Sequence, residues 1–282
     1  MKNRRSQTPI CLNSKHVTML KLTPPLPEQV KALFKPLDHN LASVSIMRGL
    51  TASDVYVDSV DATWAVTYSN SRILVSGDID CPEFVEAVQG VVDAGVKNGR
   101  KGFVIYYPVG AEKGGIGEHI QGIDPYPNLR NYYILEPEKT GYPVNLPQGY
   151  RIQRISYDFL EKGCTNTELV MEEMRSERAS VDDFIDKSFG FCGIQGDVIA
   201  SWCMSEYNTG NRFEIGIETH TEHRRKGLAF QTARACINHG VETGYDSVGW
   251  HCWKKNEASN RLALSLGFKH ILEYPVEYLE VK

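Results

Sequence analysis

The residue types that bind an anion are concentrated in one segment, Arg224-Arg225-Lys226-Gly227-Leu228-Ala229. This segment lies between a predicted strand and a long predicted helix, and the first turn of a helix has backbone N–H groups without intrahelical partners. The helix dipole adds positive potential at the same end. Gly227 would let the main chain approach a phosphate closely, and the basic side chains would add charge-assisted hydrogen bonds. The segment predicts a site for a small phosphorylated ligand, and taken alone it is equally compatible with a solvated basic helix start.

Two carboxylates close to this segment could supply acid–base chemistry. Glu214 and Glu218 alternate with apolar residues along the predicted strand Arg212–Thr219, so both side chains point to one face of the strand. A carboxylate on such a face can take a proton from a reacting group. Each Glu is also compatible with a solvated strand face, and His220 and His223 are rival bases.

The elements that must position these groups follow a regular order in the second half of the chain. Alternating hydrophobicity predicts strands and helical spacing predicts helices, in the order β-α-α-β-β-β-α-β-α-β-β. The predicted segments are strand Tyr150–Ile155, helices within Tyr157–Arg178, the hairpin of Phe189–Ile194 and Val198–Met204, strand Arg212–Thr219, a helix from Arg224 to about Gly240, strand Asp246–Cys252, helix Asn256–Leu266 and strands within Phe268–Glu280.

The first half is also predicted to be α/β, and it is separated from the second by a segment rich in proline and glycine. This segment lies between Glu136 and Gly149, and its density of Pro and Gly stops helices and strands. We therefore predict two domains, 1–140 and 145–282. The predicted elements of the first are helices Pro27–Pro36 and Asn40–Arg48, the hairpin of Trp64–Tyr68 and Arg72–Ser76, a helix that begins at Pro82 and ends before Gly99, and the buried strand Phe103–Tyr107.

Composition and charge exclude several protein classes. The formal charge is -4 and the basic run near residue 225 has only three members, so no nucleic-acid partner is expected. The seven cysteines are widely spaced without a Cys-x-x-Cys pair, which predicts reduced thiols in a cytoplasmic protein and no metal site. Apolar stretches are too short for a membrane span, so no membrane partner is expected.

The order of elements and the motifs together resemble the GNAT superfamily of acyl-CoA N-acyltransferases. The family signature is Arg or Gln, two residues, Gly, one residue, then Gly or Ala, which Arg224, Gly227 and Ala229 match in register. The segment Asn256-Glu257-Ala258-Ser259-Asn260 and the later Gly267-Phe268 are similar to the family's second CoA motif. Within the superfamily, these segments look most like a bacterial group that includes zwittermicin-resistance-type acetyltransferases. The resemblance covers residues of about 150–282.

The resemblance implies a mixed α/β fold whose mostly antiparallel sheet is splayed between its central strands and flanked by helices. The first half would be an α/β domain, and a degenerate copy of the same fold is one interpretation of it. Acetyl-CoA would lie between the strand ending at Thr219 and the strand ending at Cys252, with backbone groups of Ile217 and Thr219 binding the pantetheine arm. The remaining implied cofactor-binding residues are Arg224, Arg225, Lys226, Gly227, Leu228, Ala229, Asn256, Ser259 and Asn260. For Asn256, capping of the following helix is an equally open role.

The implied activity is transfer of an acetyl group from acetyl-CoA to an amine, with a small molecule as acceptor and Glu214 or Glu218 as general base. A protein amino terminus or a lysine is an open alternative acceptor. One departure from the family concerns the acid, because the Tyr that usually protonates the leaving thiolate is replaced by Ala263. Other donors are open, namely Tyr207, Tyr245, Tyr274 or water.

Two other function classes remain open. The missing Tyr favours a non-catalytic acyl-CoA-binding sensor or interaction protein. A nucleotide-binding protein would use Gly114-Gly115-Ile116-Gly117, and this loop would then begin a helix beside a strand end. The oligomeric state is also open, and a homodimer is compatible with the sequence.

Overall fold

The computed structural model describes residues 19–69, 71–111 and 115–282. They divide into two compact units: unit 1 consists of the described residues up to Arg130 together with Tyr274–Lys282, and unit 2 is Asn131–Glu273. These bounds differ from the predicted domains 1–140 and 145–282, since the last residues of the chain belong to unit 1. The division of the chain into domains 1–140 and 145–282 stays a prediction.

Unit 1 is a mostly antiparallel sheet with helices. Its strands are β1 (Leu20–Leu22), β2 (Asp54–Val57), β3 (Trp64–Ser69), β4 (Arg72–Gly77), β5 (Gly102–Tyr106), the first part of β6 (Ile123–Leu135) and the last part of β12 (Lys269–Val281). The first five pair in chain order and β12 follows β5. β4 and β5 are parallel, and the pairs β1/β2, β2/β3, β3/β4 and β5/β12 are antiparallel. The parallel pair requires a crossover, which a helix provides.

That crossover helix is α3 (Pro82–Lys97), and two shorter helices, α1 (Glu28–Leu33) and α2 (Leu41–Met47), precede β2. Pro82 occupies the first turn of α3, where its missing N–H costs nothing. The apolar face of α3 packs with residues of the sheet in one buried core, which includes Trp64, Phe84, Val88 and Phe103.

Unit 2 contains most of the elements that were predicted for the second half of the chain. Its strands are β7 (Tyr150–Arg154), β8 (Gly190–Gln195), β9 (Val198–Thr209), β10 (Arg212–Thr219), β11 (Ser247–Trp253), the end of β6 and the start of β12. The strand order is β6-β11-β10-β9-β8-β7. β10 and β11 are parallel, and the pairs from β10 to β7 are antiparallel. The helices are α4 (Tyr157–Leu160), α5 (Thr167–Glu177), α6 (Val181–Lys187), α7 (Leu228–Glu242) and α8 (Glu257–Ser265).

The sheet of unit 2 has an apolar core on each face. Phe213 and Ile215 of β10 pack with α7 residues such as Cys236. Met204 of β9 packs in a second cluster with Met174 of α5. Because successive strand residues point to opposite faces, residues 214, 216 and 218 of β10 face away from α7. The predicted fold class, a mixed α/β fold with a mostly antiparallel sheet and flanking helices, is confirmed.

Some elements of the structure were not predicted, namely β1, β2, β6 and α6, and α7 begins later than predicted. β6 was not predicted, because Pro125 and Pro127 lie within it and proline cannot donate to a strand ladder. α6 was not predicted either, as it is short and begins with an acidic turn capped by Ser180. α7 begins at Leu228 rather than near Arg224, because the residues before it adopt non-helical backbone angles.

The two units share a topology. In unit 1 the order is β1, two helices, β2-β3-β4, α3 and the parallel strand β5; in unit 2 it is β7, three helices, β8-β9-β10, α7 and the parallel strand β11. The repeated order favours the prediction that the first half is a degenerate copy of the second. Within the described part of the chain, none of the helices combines the length and the apolarity that crossing a bilayer needs.

Candidate active site

The two central strands of unit 2 separate after a short paired stretch. β10 and β11 pair over three residues, from Arg212 to Glu214 of β10. β10 continues to Thr219 and β11 to Trp253, so the later residues of both strands border a gap. On its other edge β10 stays paired with β9 as far as Thr219. This splayed pair has the geometry that the resemblance implies for the two central strands.

Residues 224–229, the predicted anion-binding segment, form a tight turn that leads from the end of β10 into α7. Arg225 and Gly227 have left-handed backbone conformations, with φ of 61° and 76°. Gly227 is the N-cap of α7, and the buried Leu228 fixes the first turn of the helix. A Cβ added at Gly227 would meet no atom within 4 Å, so there is open space at this helix N-terminus. The turn therefore leaves space at a helix N-terminus, where backbone N–H groups can bind anions, and anion binding at this turn stays a prediction.

Arg224 holds the start of the turn against the end of β10. Its Nε donates to the carbonyl oxygen of Thr219 at 3.0 Å, and its Nη2 lies 3.0 Å from Oε1 of Glu218. Both side chains of the Arg224–Glu218 pair are about half exposed, at 56% and 51%. Arg224 thus shapes the turn, whereas the exposed Arg225 extends from it.

His223 has the surroundings of a packing residue. It is buried, and its Nδ1 lies 2.9 Å from the hydroxyl of Tyr150. The ammonium of Lys226 lies 3.2 Å from the same hydroxyl. Burial, together with the Lys226 charge, lowers the pKa of His223, so the imidazole is neutral at neutral pH. These contacts fasten the turn to β7.

The two predicted bases lie in different environments although both belong to the same strand face. Glu214 is buried, and its Oε1 lies 3.1 Å from Nε2 of His251, which is on β11. Glu218 is exposed and pairs with Arg224. A shift in the β9–β10 register between Arg212 and Glu214 marks a β-bulge, and bulges re-aim side chains.

The imidazole of His251 is enclosed on a further side by Tyr132 of β6. The two rings are stacked, with centroids 4.4 Å apart and planes 11° apart. The Tyr132 hydroxyl accepts a hydrogen bond from Nη2 of Arg212 at 3.3 Å. Burial, with the Glu214 carboxylate nearby, raises the pKa of Tyr132, so the phenol stays neutral. Sequence analysis did not select His251 or Tyr132, although the period-2 pattern of β11 could have placed His251 on the face opposite Trp250 and Cys252.

The second CoA motif has structural roles in α8. Asn256 caps the helix, its Oδ1 accepting from the backbone N–H of Ser259 at 3.1 Å. The Ser259 hydroxyl accepts from Nε1 of Trp250 at 3.1 Å. Asn260 Oδ1 accepts from Tyr133 and Asn131, at 2.6 and 2.7 Å. Its Nδ2 lies within hydrogen-bonding distance of three carbonyl oxygens, at 2.8 to 3.2 Å, those of Trp253, Lys254 and Asn256. Cofactor contacts by these three residues remain a prediction.

The rival glycine loop of unit 1 is engaged by a carboxylate. Gly114 lies outside the described residues, and Ile116–His119 is a single 3-10 turn. The backbone N–H of Gly117 donates to Oε2 of Glu277 at 3.0 Å. This donor already serves a buried carboxylate, so the Gly117 N–H is not available to a phosphate.

Among the described residues, two groups each bring three potential metal ligands within 4.8 Å of one another. The first group is His220, Glu222 and His223, and the second is Glu173, Glu177 and Glu206. The first group adjoins the basic residues of the turn, whose charge opposes a cation. The second consists of carboxylates on α5 and β9. We assign no metal to either group.

The chain belongs to the GNAT acetyltransferase family, whose family model matches residues 31–276. Family membership indicates an acetyltransferase. The chain is 32% identical over 149 residues to the uncharacterized N-acetyltransferase YdfB of Bacillus subtilis (strain 168), which covers 53% of this chain and 56% of that protein. The chain thus spans about half the length of this curated relative.

Solved structures share the fold at low sequence identity. A GCN5-related N-acetyltransferase-like protein from Streptococcus suis 89/1591 superposes with a TM-score of 0.67 at 18% identity, covering 90% of this chain and 99% of that one. A tandem GNAT protein from the clavulanic acid biosynthesis pathway gives a TM-score of 0.56 at 13% identity, covering 94% and 98%. A GCN5-related N-acetyltransferase from Sphaerobacter thermophilus gives 0.56 at 12% identity, covering 94% and 96%. These likenesses extend over both units.

Proposed function

We propose that this protein transfers the acetyl group of acetyl-CoA to the amine of a small molecule. The observation that carries the proposal is the turn at Arg225 and Gly227, which opens the N-terminus of α7 at the end of β10 and beside the gap next to β11. A phosphorylated cofactor with a long arm needs an anion site and an elongated slot that continue into each other. The turn and the gap supply these two parts.

The cofactor's parts correspond to parts of the site. The unpaired edge of β10 beyond Glu214 offers backbone groups near Ile217 to an extended pantetheine arm, in the manner of an added strand. The N–H groups from Arg225 to Ala229 would bind the pyrophosphate, with charge from Arg225 and Lys226. The Thr219 carbonyl already accepts from Arg224, so its contribution to the arm would be its N–H.

One cofactor per chain is expected. Unit 1 repeats the topology of unit 2, but the loop between β4 and α3, which corresponds to the anion turn, contains Asp78 and Asp80. Two carboxylates beside a pyrophosphate would repel it. We therefore assign cofactor binding to unit 2 alone.

Several finer assignments belong to the same proposal. The similarity of the motifs of β10 and α8 to the zwittermicin-resistance-type group supports a bacterial enzyme of that group acting on a small amine. The scattered thiols of the sequence support a cytoplasmic location. A homodimer is compatible with the fold, and no nucleic acid, membrane or metal is part of the proposed reaction.

Calorimetric titration of the purified protein with acetyl-CoA, and separately with ADP, tests the cofactor assignment. We expect acetyl-CoA to bind at one site per chain and ADP to bind more weakly, because ADP lacks the arm that the gap would hold. Release of the CoA thiol in the presence of primary amines then tests transfer. Acetyl-CoA binding without transfer to any amine would favour the alternative, a non-catalytic acyl-CoA-binding sensor, and absence of binding would contradict both.

A further inference from the structure

A cavity of about 690 Å³ opens in unit 1 beside the start of α3. One wall consists of the loop that joins β4 to α3 and of the first two turns of that helix. The other wall is the segment 115–119, which follows β5, and both walls belong to the same unit. Sites for small molecules have volumes of roughly 300–1,000 Å³. The cavity is therefore large enough for a small organic ligand.

The cavity lies at the place in unit 1 that corresponds to the predicted cofactor site of unit 2. The loop from β4 to α3 corresponds to the turn from β10 to α7, and the segment 115–119 follows β5 as α8 follows β11. The described residues at the cavity surface include three carboxylates, those of Asp80, Glu86 and Glu118. Among the same described residues, His119 is the one whose side chain can carry a positive charge. The cavity is thus acidic where the turn of unit 2 is basic.

The helix dipole of α3 does not account for this arrangement of carboxylates. Acidic residues stabilise the first turn of a helix, and the effect falls off beyond that turn. The first turn of α3 already contains Glu83, which is not part of the cavity surface. Glu86 is in the second turn, and Glu118 is on a separate 3-10 turn of four residues. Like charges around one cavity repel one another, and a bound cation would relieve that repulsion.

A buried carboxylate lies beside the second wall. Glu277 of β12 is 1% exposed and pairs with Ile105 of β5, so both side chains lie on the face of the sheet that α3 covers. Its Oε2 accepts from the backbone N–H of Gly117 at 3.0 Å and from the Tyr107 hydroxyl at 2.6 Å. Its Oε1 accepts no hydrogen bond from the described residues, and a Cβ added at Gly117 would lie 2.8 Å from it. This carboxylate adds to the negative potential around the cavity.

The spacing of the three cavity carboxylates distinguishes an organic cation from a metal ion. A metal ion needs several ligand atoms that converge on one point. Among the described residues, the groups of three potential ligands within 4.8 Å of one another include none of these carboxylates. Ile79, Val85 and Ile116 supply apolar surface to the same cavity. Separate negative charges together with apolar surface suit a ligand that carries ammonium groups on a hydrocarbon chain.

We propose that this cavity of unit 1 binds a polyamine, a linear organic cation with two or more ammonium groups. The ammonium groups pair with the cavity carboxylates, and the methylene groups lie against the apolar residues of the two walls. The inference goes beyond the proposed acetyl transfer and does not depend on it. Every residue of the cavity belongs to unit 1, whereas the cofactor is assigned to unit 2.

Calorimetric titration of the full chain with spermidine at low ionic strength tests this inference. The cavity variant is Asp80→Asn/Glu86→Gln/Glu118→Gln, which removes three charges and nearly keeps the shape of each side chain. Exposed ion pairs contribute little individually, so the loss of three should raise the spermidine dissociation constant by roughly 3- to 150-fold. High salt should weaken the binding of spermidine to wild type, because the site is open to solvent.

The control variant is Asp61→Asn/Glu83→Gln/Asp93→Asn. It removes three exposed carboxylates of unit 1 that are not at the cavity surface, so its net charge changes by the same amount. We expect it to bind spermidine about as tightly as wild type. No saturable spermidine binding to wild type, or equal affinities of the cavity and control variants, would overturn the inference, because any remaining binding then belongs to another site.

A parallel titration with CaCl₂ tests the choice of an organic cation. We expect no saturable Ca²⁺ binding that the cavity variant loses, because the three carboxylates do not converge on one point. Ca²⁺ binding that is present in wild type and in the control variant but absent from the cavity variant would overturn that choice. These titrations leave the proposed acetyl transfer untouched, since acetyl-CoA binding tests it separately.

Discussion

Replacement of Gly227 by alanine should separate cofactor binding from folding. At φ 76° the residue is in the left-handed region, where a side chain costs about 1–2 kcal/mol. The added Cβ would meet no protein atom within 4 Å, so steric overlap adds nothing to this cost in the free protein. We therefore expect Gly227→Ala to lower the free energy of unfolding by about 1 kcal/mol, which corresponds to a Tm decrease of roughly 2–4 °C.

The loss of binding free energy for acetyl-CoA should be larger than the loss of free energy of unfolding. The open space beside Gly227 is where a phosphate would approach the first turn of α7, so a methyl group there would displace the phosphate or twist the turn. Loss of one hydrogen bond to a charged group costs about 1.5–3 kcal/mol. The dissociation constant for acetyl-CoA should therefore rise by roughly 10- to 150-fold.

Gly244→Ala is the matched control for this experiment. Gly244 follows the opposite end of α7, has φ 96°, and also has no atom within 4 Å of an added Cβ. Both variants should therefore lose similar stability, measured by thermal unfolding. Only the Gly227 variant should lose acetyl-CoA affinity, measured by calorimetry. Equal affinity in the two variants would refute the assignment of the α7 N-terminus as the pyrophosphate site.

Two further predictions concern residues of the predicted cofactor motifs. Asn260→Ala removes hydrogen bonds to Tyr133 and to three carbonyl oxygens, so we expect it to lower the free energy of unfolding by about 2–4 kcal/mol. The helix-cap variant Asn256→Ala should lower it by about 1 kcal/mol, and urea unfolding measures both values. A smaller effect at Asn260 than at Asn256 would contradict the structural role of Asn260. Arg224→Ala removes an exposed pair worth at most about 1 kcal/mol and the contact that shapes the turn, so stability should change little while acetyl-CoA affinity falls. The opposite pattern, lost stability with intact affinity, would count against a role of the turn in binding.

Local sequence patterns were sufficient for most of the elements. Alternation of polar and apolar residues located β8, β9 and β10, and helical spacing located α7, although its start was predicted near Arg224 rather than at Leu228. These features depend on a few consecutive residues, because backbone angles and strand faces are local properties. β6 escaped this reasoning, since Pro125 and Pro127 contradict a strand unless its position in the sheet is known.

The sequence by itself determined most of the elements and the shared face of Glu214 and Glu218, whereas the class of ligand that it predicts for the turn stays a prediction. It could not show that these two carboxylates differ, one buried against an imidazole and the other exposed beside Arg224. Tertiary structure decided this, because β11 and β6 bring His251 and Tyr132 to β10 from distant positions in the chain. Such contacts follow from strand order and register across the sheet, and neither is encoded within any one segment.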